Sequence, residues 1–300
     1  MRKIKIGYFA DGPWAHLAFE KIIKDKTIEI AFIIPRIDSK DQTLFNYAKQ
    51  YKIDYFSHEN INSEEFIKKI SIYDCDLLVS MSFNQIFRLP IINLTPNKII
   101  NCHAGKLPFY RGRNILNWAL INDEKELGIT VHYVDKGIDT GDIILQKTFE
   151  ISNEDNYQSL LNLAFVECAN IVYEAIKKIQ DGDVRIIKQS SIHPIGMYCG
   201  VRGVGDELID WNQTSRDLYN FIRAISSPGP KAQSVVKRTG AICKINSAEE
   251  VIDAPVYKGT PGQIIGKDFN LYIVKTKDSF IKIRDIDLQL GSLKVGDRFI

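Results

Sequence analysis

Asn101 and His103 lie two residues apart in the run IINCHAGKLPFYRGRN, at the end of an apolar, β-rich stretch. Residues two apart on a strand share a face, so the amide and the imidazole point to one side of the strand's carboxyl end. Further along, VDKGIDTGD at 134–142 sets Asp135, Asp139 and Asp142 among glycines, in a loop between β-rich stretches. A carboxylate carried back to the imidazole by such a loop completes a set suited to acyl transfer. The amide donates a hydrogen bond to a developing oxyanion, and the imidazole takes a proton from an attacking amine. The carboxylate orients the imidazole and stabilises its charge. No serine or cysteine nucleophile is required when the amine itself attacks. Cys102, between the two polar residues, is expected to point into the core, and His132, in mid-strand, reads as a packing histidine.

The elements that must position these residues alternate. Strand patterns cover Ile4–Phe9, Ile28–Pro35, Ile53–Phe56, Asp76–Met81 and Lys98–Asn101. Helical spacing covers Trp14–Lys24, Thr43–Tyr51, Ser63–Ile72 and Asn114–Asn122, with Ser63, Glu64 and Glu65 forming a capping signal. Thr130–Val134 and Ile143–Phe149 read as an antiparallel extension of the sheet, and Tyr157–Gln180 as a long helix with a broad apolar face. The fold class expected is α/β: a Rossmann-like, mostly parallel sheet with helices on both faces, plus a smaller β-rich, barrel-like C-terminal domain. In that domain a helix at Ser215–Ile225 precedes short strands separated by KGTPG, GKD, TKD and LGSLKVGD. The expected division is 1–205 for the catalytic domain and 206–300 for the C-terminal one. In open α/β sheets ligands bind at the carboxyl ends of the strands, where Asn101 and His103 lie.

Composition narrows the function classes. Lys and Arg total 39 against 37 Asp and Glu, a net charge of +2, which argues against nucleic acid as the main partner. The five cysteines are scattered and never in CxxC spacing, which supplies no zinc framework and fits reduced thiols in a cytoplasm. MRKIKIGYFADGPWAHL has no long apolar run or small-residue cleavage site and reads as an opening strand. No stretch is expected to reach the roughly 20 apolar residues that cross a bilayer. FADGPWAH lacks the glycines of a dinucleotide seat and no P-loop occurs, so hydride transfer and ATP hydrolysis fall back.

Together the residues resemble the formyltransferase family that uses N10-formyltetrahydrofolate. The resemblance rests on Asn101-x-His103, Gly105-x-Leu107-Pro108-x-Tyr110-Arg111-Gly112, a following helix with Trp118, Gly128-Ile-Thr-Val-His132, and Asp135-x-Gly137-Ile138-Asp139-Thr140-Gly141-x-Ile143. It covers most of residues 1–150 and continues more loosely to the end. It implies that Asn101, His103 and Asp139 carry catalysis without a metal. It also implies that Phe83, Asn84 and Ile86, with Asp135, Gly137 and Ile138, surround the folate.

Several branches of that family differ in the amine they formylate. Those acting on methionyl-tRNA resemble the chain in size and two-domain plan, but carry a longer basic insertion after the second strand. Here PRIDSKDQT at 35–43 balances Arg36 and Lys40 against Asp38 and Asp41. The glycinamide ribonucleotide branch is shorter and has a glycine signature that is absent here. Hydrolases using the same trio generally carry an additional N-terminal regulatory domain, for which residues 1–10 leave no space. The branch acting on nucleotide-linked amino sugars for surface polysaccharide resembles YRGRNILNWALIN (110–122), and IDW followed by YNFIRAISSPGP (209–211, 219–230) fits both it and the tRNA branch. The expected substrate contacts are Trp14, Lys106, Tyr110, Arg111, Arg113 and Asn114, because aromatics cover a pyranose face and arginines pair with diphosphate. The C-terminal strands are expected to cover the sugar site, form a homodimer or persist from a tRNA-binding ancestor.

Overall fold

The computed structural model describes residues 3–300; Met1 and Arg2, the start of the expected opening segment, lie outside them. The chain forms two compact units. The first comprises 1–112, 127–149 and 162–199, and the second 113–126, 150–161 and 200–300. Sequence alone places one boundary between 205 and 206; in space Arg113–Glu126 and Glu150–Leu161 also group with the C-terminal part.

The elements begin with β1 (Ile4–Ala10), α1 (Gly12–Ile22), β2 (Ile28–Ile34), α2 (Gln42–Tyr51), β3 (Asp54–Tyr55) and α3 (Glu64–Ser71). They continue through β4 (Leu77–Met81), α4 (Leu89–Ile92), β5 (Ile99–His103), β6 (Arg111–Gly112), α5 (Ile115–Ile121), β7 (Glu126–Tyr133) and β8 (Ile143–Glu150). After them come α6 (Tyr157–Asp181), α7 (Gln189–Ile192), β9 (Tyr198–Cys199) and α8 (Ser215–Ala224). The last strands are β10 (Ala232–Val235), β11 (Ile242–Glu250), β12 (Ile264–Asp268), β13 (Leu271–Lys275) and β14 (Phe280–Leu288).

The first unit holds a seven-stranded sheet in the order β3-β2-β1-β4-β5-β7-β8. Strands β1 to β5 pair in parallel, and β7 runs antiparallel to β5, as the sequence pattern predicts. The strands are apolar on both faces because both are covered. Ile6, Tyr8 and Ala10 pack toward α1 and α6, and Phe9 packs the other way with Phe32, Phe66 and Ile91. Ser63 caps α3 by accepting the Phe66 N–H at 3.2 Å. The strand order reverses between β1 and β4, the switch point at whose strand ends ligands bind in open α/β sheets.

One helix, the 25-residue α6, is apolar and long enough to cross a bilayer by length and composition, contrary to the expectation from sequence. Its residues Cys168, Ile171, Val172, Ala175 and Ile176 lie in the core under the sheet. The apolar face that reads as a spanning segment is the one a doubly covered sheet requires.

In the second unit α8 packs on α5 and β11, and its N-terminus is capped by Thr214, whose Oγ1 accepts the Asp217 N–H at 3.2 Å. Five antiparallel strands run in the order β10-β11-β14-β13-β12. The last residues close this sheet. Ile300 and Val235 exchange N–H···O bonds of 3.1 and 2.9 Å, the Phe299 N–H donates to Gly262 O at 2.8 Å, and the Ile264 N–H donates to Asp297 O at 2.8 Å. The C-terminal residues thus bridge the outer strands β10 and β12, and the β-rich domain is barrel-like.

Candidate active site

Strand β5 ends on Asn101, Cys102 and His103. The Cys102 thiol turns toward the Cys168 carbonyl of α6 at 3.6 Å, so Asn101 and His103 take the opposite face. On β7, His132 is paired with Asn101 and Thr130 with His103. The 134–142 loop then returns Asp139 to both histidines. Asp139 Oδ2 lies 3.7 Å from His103 Nδ1, and Oδ1 lies 3.5 Å from His132 Nε2. Asn101 Nδ2 is 3.4 Å from that same His132 Nε2. The amide, the imidazole and the carboxylate therefore gather at one place, with a second imidazole between them.

His132 is the residue that the sequence reading missed. It is almost fully buried, as a packing residue would be, but its ring spans Asn101 and Asp139. Its Nδ1 lies 2.7 Å from the Tyr133 carbonyl, which places a proton on Nδ1 and turns Nε2 toward the site. The signal available was the period-two spacing of Thr130 and His132 on a strand expected to extend the sheet in the antiparallel sense.

Local backbone chemistry explains why the loop holds this shape. Asp139 has φ 52°, in the left-handed region that aspartate tolerates better than most side chains. Asp135 Oδ1 closes the turn by accepting the Gly137 N–H at 3.0 Å and the Thr140 hydroxyl at 2.5 Å. A Cβ on Gly141 would lie 1.8 Å from Tyr133 O. On the other side, a Cβ on Gly105 would lie 2.4 Å from Tyr110 O and 2.5 Å from His103 Nε2. Glycine there lets the His103 Nε2–H donate to Tyr110 O at 2.7 Å. Thr130 Oγ1 donates to Gly105 O at 2.7 Å, and Gln146 Nε2 donates to Thr130 Oγ1 and Leu107 O, which fixes the 105–107 turn.

The electrostatics follow from burial. Burial pushes the His103 pKa down, Asp139 and the Tyr110 carbonyl oppose this, and His132 adds to it; the net direction is downward. Burial alone would raise the Asp139 pKa. The His103 charge, the adjacent His132 and the Gly112 N–H at 2.9 Å outweigh it and hold the carboxyl well below its usual range. The carboxylate is thus ionised beside an imidazole whose Nε2 carries the proton. His103 Nδ1 keeps its lone pair, and on accepting a proton there it would face Asp139. A neutral base backed by a fixed anion, with an amide donor nearby, can deprotonate an amine and hold an oxyanion.

The remaining expected residues are distributed more widely. Phe83 is half-buried, edge-to-face with Phe9 at 5.4 Å. Asn84 is exposed and donates to Asp38 at 3.1 Å, and Ile86 is exposed with its carbonyl held by Asn62 at 2.9 Å. Asn84 and Ile86 line a cleft of about 600 Å³. Asp135 lines a separate cavity of about 490 Å³ with Leu89, Ile92 and Tyr133. Gly137 and Ile138 are exposed on the loop. Neither cavity is lined by Asn101 or His103.

Trp14 packs edge-to-face on Phe165 at 4.8 Å. Tyr110 is buried and reaches His103 through its carbonyl, so its ring offers little face to a sugar. The stem of Lys106 lies against Gly128 while the residue as a whole is exposed. Arg111 is drawn inward onto Gln189. Arg113 and Asn114 belong to the second unit. Arg113 is exposed, and Asn114 accepts the Arg202 N–H at 3.0 Å.

A doubly wound α/β sheet brings Asn101 and His103, at the end of β5, together with Asp139 of the 134–142 loop, a set of groups suited to acyl transfer. The chain belongs to the formyl transferase family: the family profile matches residues 4–175, and that of the formyl transferase C-terminal domain matches 204–294. Among curated relatives, the methionyl-tRNA formyltransferase of Azobacteroides pseudotrichonymphae is 32% identical over 272 residues, covering 89% of this chain and 82% of its own. That of Fusobacterium nucleatum is 30% identical over 320 residues, covering 98% and 99%. Among solved structures, WlaRD, a sugar 3N-formyl transferase in the presence of dTDP and 5-N-formyl-THF, has a TM-score of 0.70 at 22% identity, with 97% of this chain and 100% of that one covered. The N-formyltransferase from Helicobacter canadensis, in complex with folinic acid and dTDP-3-aminofucose, has a TM-score of 0.69 at 23% identity, covering 94% and 98%.

Proposed function

We propose that this formyltransferase moves the formyl group of N10-formyltetrahydrofolate to the amino group of a nucleotide-linked amino sugar, with Asn101, His103 and Asp139 as catalytic residues. Residues 1–205 serve as the catalytic domain and 206–300 as the C-terminal domain. The amine nitrogen bonds to the formyl carbon, giving a tetrahedral intermediate whose oxygen is held by the Asn101 amide and by His103 once it is protonated. The C–N10 bond then breaks, and the amine's proton passes by way of His103 Nδ1 to N10, releasing tetrahydrofolate. Asp139 stabilises the transient imidazolium. Phe83, Asn84 and Ile86, with the 135–138 turn, are the folate-side contacts in this reading.

The observation that carries the choice of acceptor is the β2–α2 connection, Pro35–Asp41. It is short, mixed in charge and tied to neighbouring segments by its side chains, with 37–40 exposed. Asp41 accepts the Gly12 N–H at 2.7 Å and meets His16 Nε2 at 2.7 Å, Asp38 accepts from Asn84, and Ser39 donates to Asp11. It presents no basic arm for an acceptor stem. The two sugar formyltransferase structures also match almost end to end, in complexes that hold a folate with dTDP or a dTDP-amino sugar.

The second reading is methionyl-tRNA formylation, favoured by the names of the curated relatives. Incubating the protein with formyl-folate and dTDP-, UDP- or GDP-amino sugars, beside charged initiator tRNA, separates the two. A formylated nucleotide sugar supports the proposal. Product with the tRNA alone sinks it, and formate released without an acceptor points to a hydrolase.

A further inference from the structure

Gln189 lies far from the trio in sequence, in KQSSIH, a segment without a catalytic pattern. In space it is nearly fully buried, at 3% exposure, and every hydrogen-bonding position of its amide is used. Nε2 donates to the Asp139 carbonyl at 2.8 Å and to the Gly141 carbonyl at 2.7 Å. Oε1 accepts from Arg111 Nε at 3.1 Å and Nη2 at 2.6 Å. A planar amide has two donors and one two-lone-pair acceptor, so this arrangement saturates it.

The bonds close a ring. Arg111 precedes Gly112, whose N–H donates to Asp139 Oδ2 at 2.9 Å. Asp139 is therefore gripped at its carboxylate by Gly112 and at its carbonyl by Gln189, and Gln189 is itself clamped by Arg111. The Arg111 guanidinium lies flat on Gly196, where a Cβ would sit 2.3 Å from its Cζ. The Arg111 N–H donates to Met197 O at 3.0 Å, which ties the ring to β9. A left-handed backbone costs energy at a residue bearing a Cβ, even one that tolerates it as aspartate does, and the local turn needs support to hold Asp139 there. A saturated buried amide on its carbonyl is what over-determines it.

We propose that Gln189, braced by Arg111, is a positioning residue that fixes the turn carrying Asp139 and so sets the distance between that carboxylate and His103. It acts through Asp139 and touches no reacting atom. The inference rests on Asp139 being catalytic. Arg111 then acts in the scaffold, and a ligand phosphate that drew it outward would loosen Asp139.

The test uses the whole chain, with the histidine rings labelled for NMR titration in the free protein. The groups facing His103 are Asp139, the Tyr110 carbonyl and His132, and Asp139 is the charge that raises its midpoint. Gln189→Leu is expected to lower the His103 midpoint in the direction that Asp139→Asn lowers it. In turnover it is expected to cut kcat about 100-fold, the cost of roughly 1 Å of misplacement, while KM for formyl-folate stays near the wild-type value. Combined with Asp139→Asn it should cost less than about threefold further, since the two act as a unit. An unmoved His103 midpoint in Gln189→Leu, or fully additive losses, overturns the proposal. If Gln189→Leu does not fold, Gln189→Glu keeps the Arg111 contact and sets an oxygen against the Asp139 and Gly141 carbonyls; the same downward shift is expected, and its absence is equally decisive. The titration needs no acceptor, so failure of the amino-sugar reading leaves it interpretable.

Discussion

Asp139 Oδ2 stands 3.7 Å from His103 Nδ1 while the same oxygen accepts the Gly112 N–H at 2.9 Å. The carboxylate is anchored by backbone and stops just short of a direct bond to the imidazole. It is placed to meet a proton that His103 acquires during turnover.

The pH profile follows from that spacing. In the proposed reaction His103 acts as a base when neutral, and burial holds its pKa below the ordinary histidine value. The acid limb of kcat/KM is therefore expected below about pH 6.5. Asp139 is the charge that raises the His103 pKa, so Asp139→Asn moves the limb to lower pH while reducing kcat. Stability changes with pH in a related way. A carboxyl whose folded pKa is depressed stabilises the fold above its unfolded value and loses that contribution as pH falls. Wild-type Tm is thus expected to drop more steeply than that of Asp139→Asn on acidification.

Asn101→Ala removes the amide donor to the oxyanion. The expected loss in kcat is about 100- to 1000-fold, or about 2.7–4 kcal/mol of barrier. Folate binding, followed by fluorescence or calorimetry, is expected to remain, because the amide's contribution is made in the transition state.

His132→Ala frees both Asn101 and Asp139 from the ring between them. About 100-fold in kcat is expected. His132→Gln, which can still bond Asn101, recovers part of it. Equal activity of His132→Ala and wild type would return His132 to the packing role the sequence suggested.

Phe299 is buried at 1% exposure and stacks on Trp211 with centroids 5.3 Å apart. Its backbone closes the C-terminal barrel. Phe299→Ala is expected to destabilise the second unit by about 3–5 kcal/mol, seen as an earlier transition in a denaturant melt, with the chemical step in the first unit unchanged.

Much of the sheet was legible because its signals are local. The apolar runs of β1, β2 and β4, the Ser63 cap and the amphipathic face of α6 each follow from nearest neighbours in sequence. The approach of Asp139 to His103 was legible through motif resemblance, since a loop's return path is not written in its composition. The contacts of His132 with Asn101 and Asp139 were not foreseen because its neighbours are decided by the register of β7 against β5, a non-local quantity. Arg111 was read as a diphosphate contact, and its bonds to Gln189 were not foreseen because that residue sits in a stretch with no periodicity. Arg113–Glu126 groups with the C-terminal part through the packing of α5 on α8, which no turn signal announces.

In the proposed reaction Asn101, His103 and Asp139 perform the transfer itself. This is tested most directly by single-turnover mixing of enzyme-bound formyl-folate with the amine acceptor, in wild type and in Asn101→Ala, His103→Ala and Asp139→Asn. All three variants are expected to bind folate normally and to lose transfer by at least about 100-fold. Transfer at the wild-type rate in His103→Ala would contradict the account.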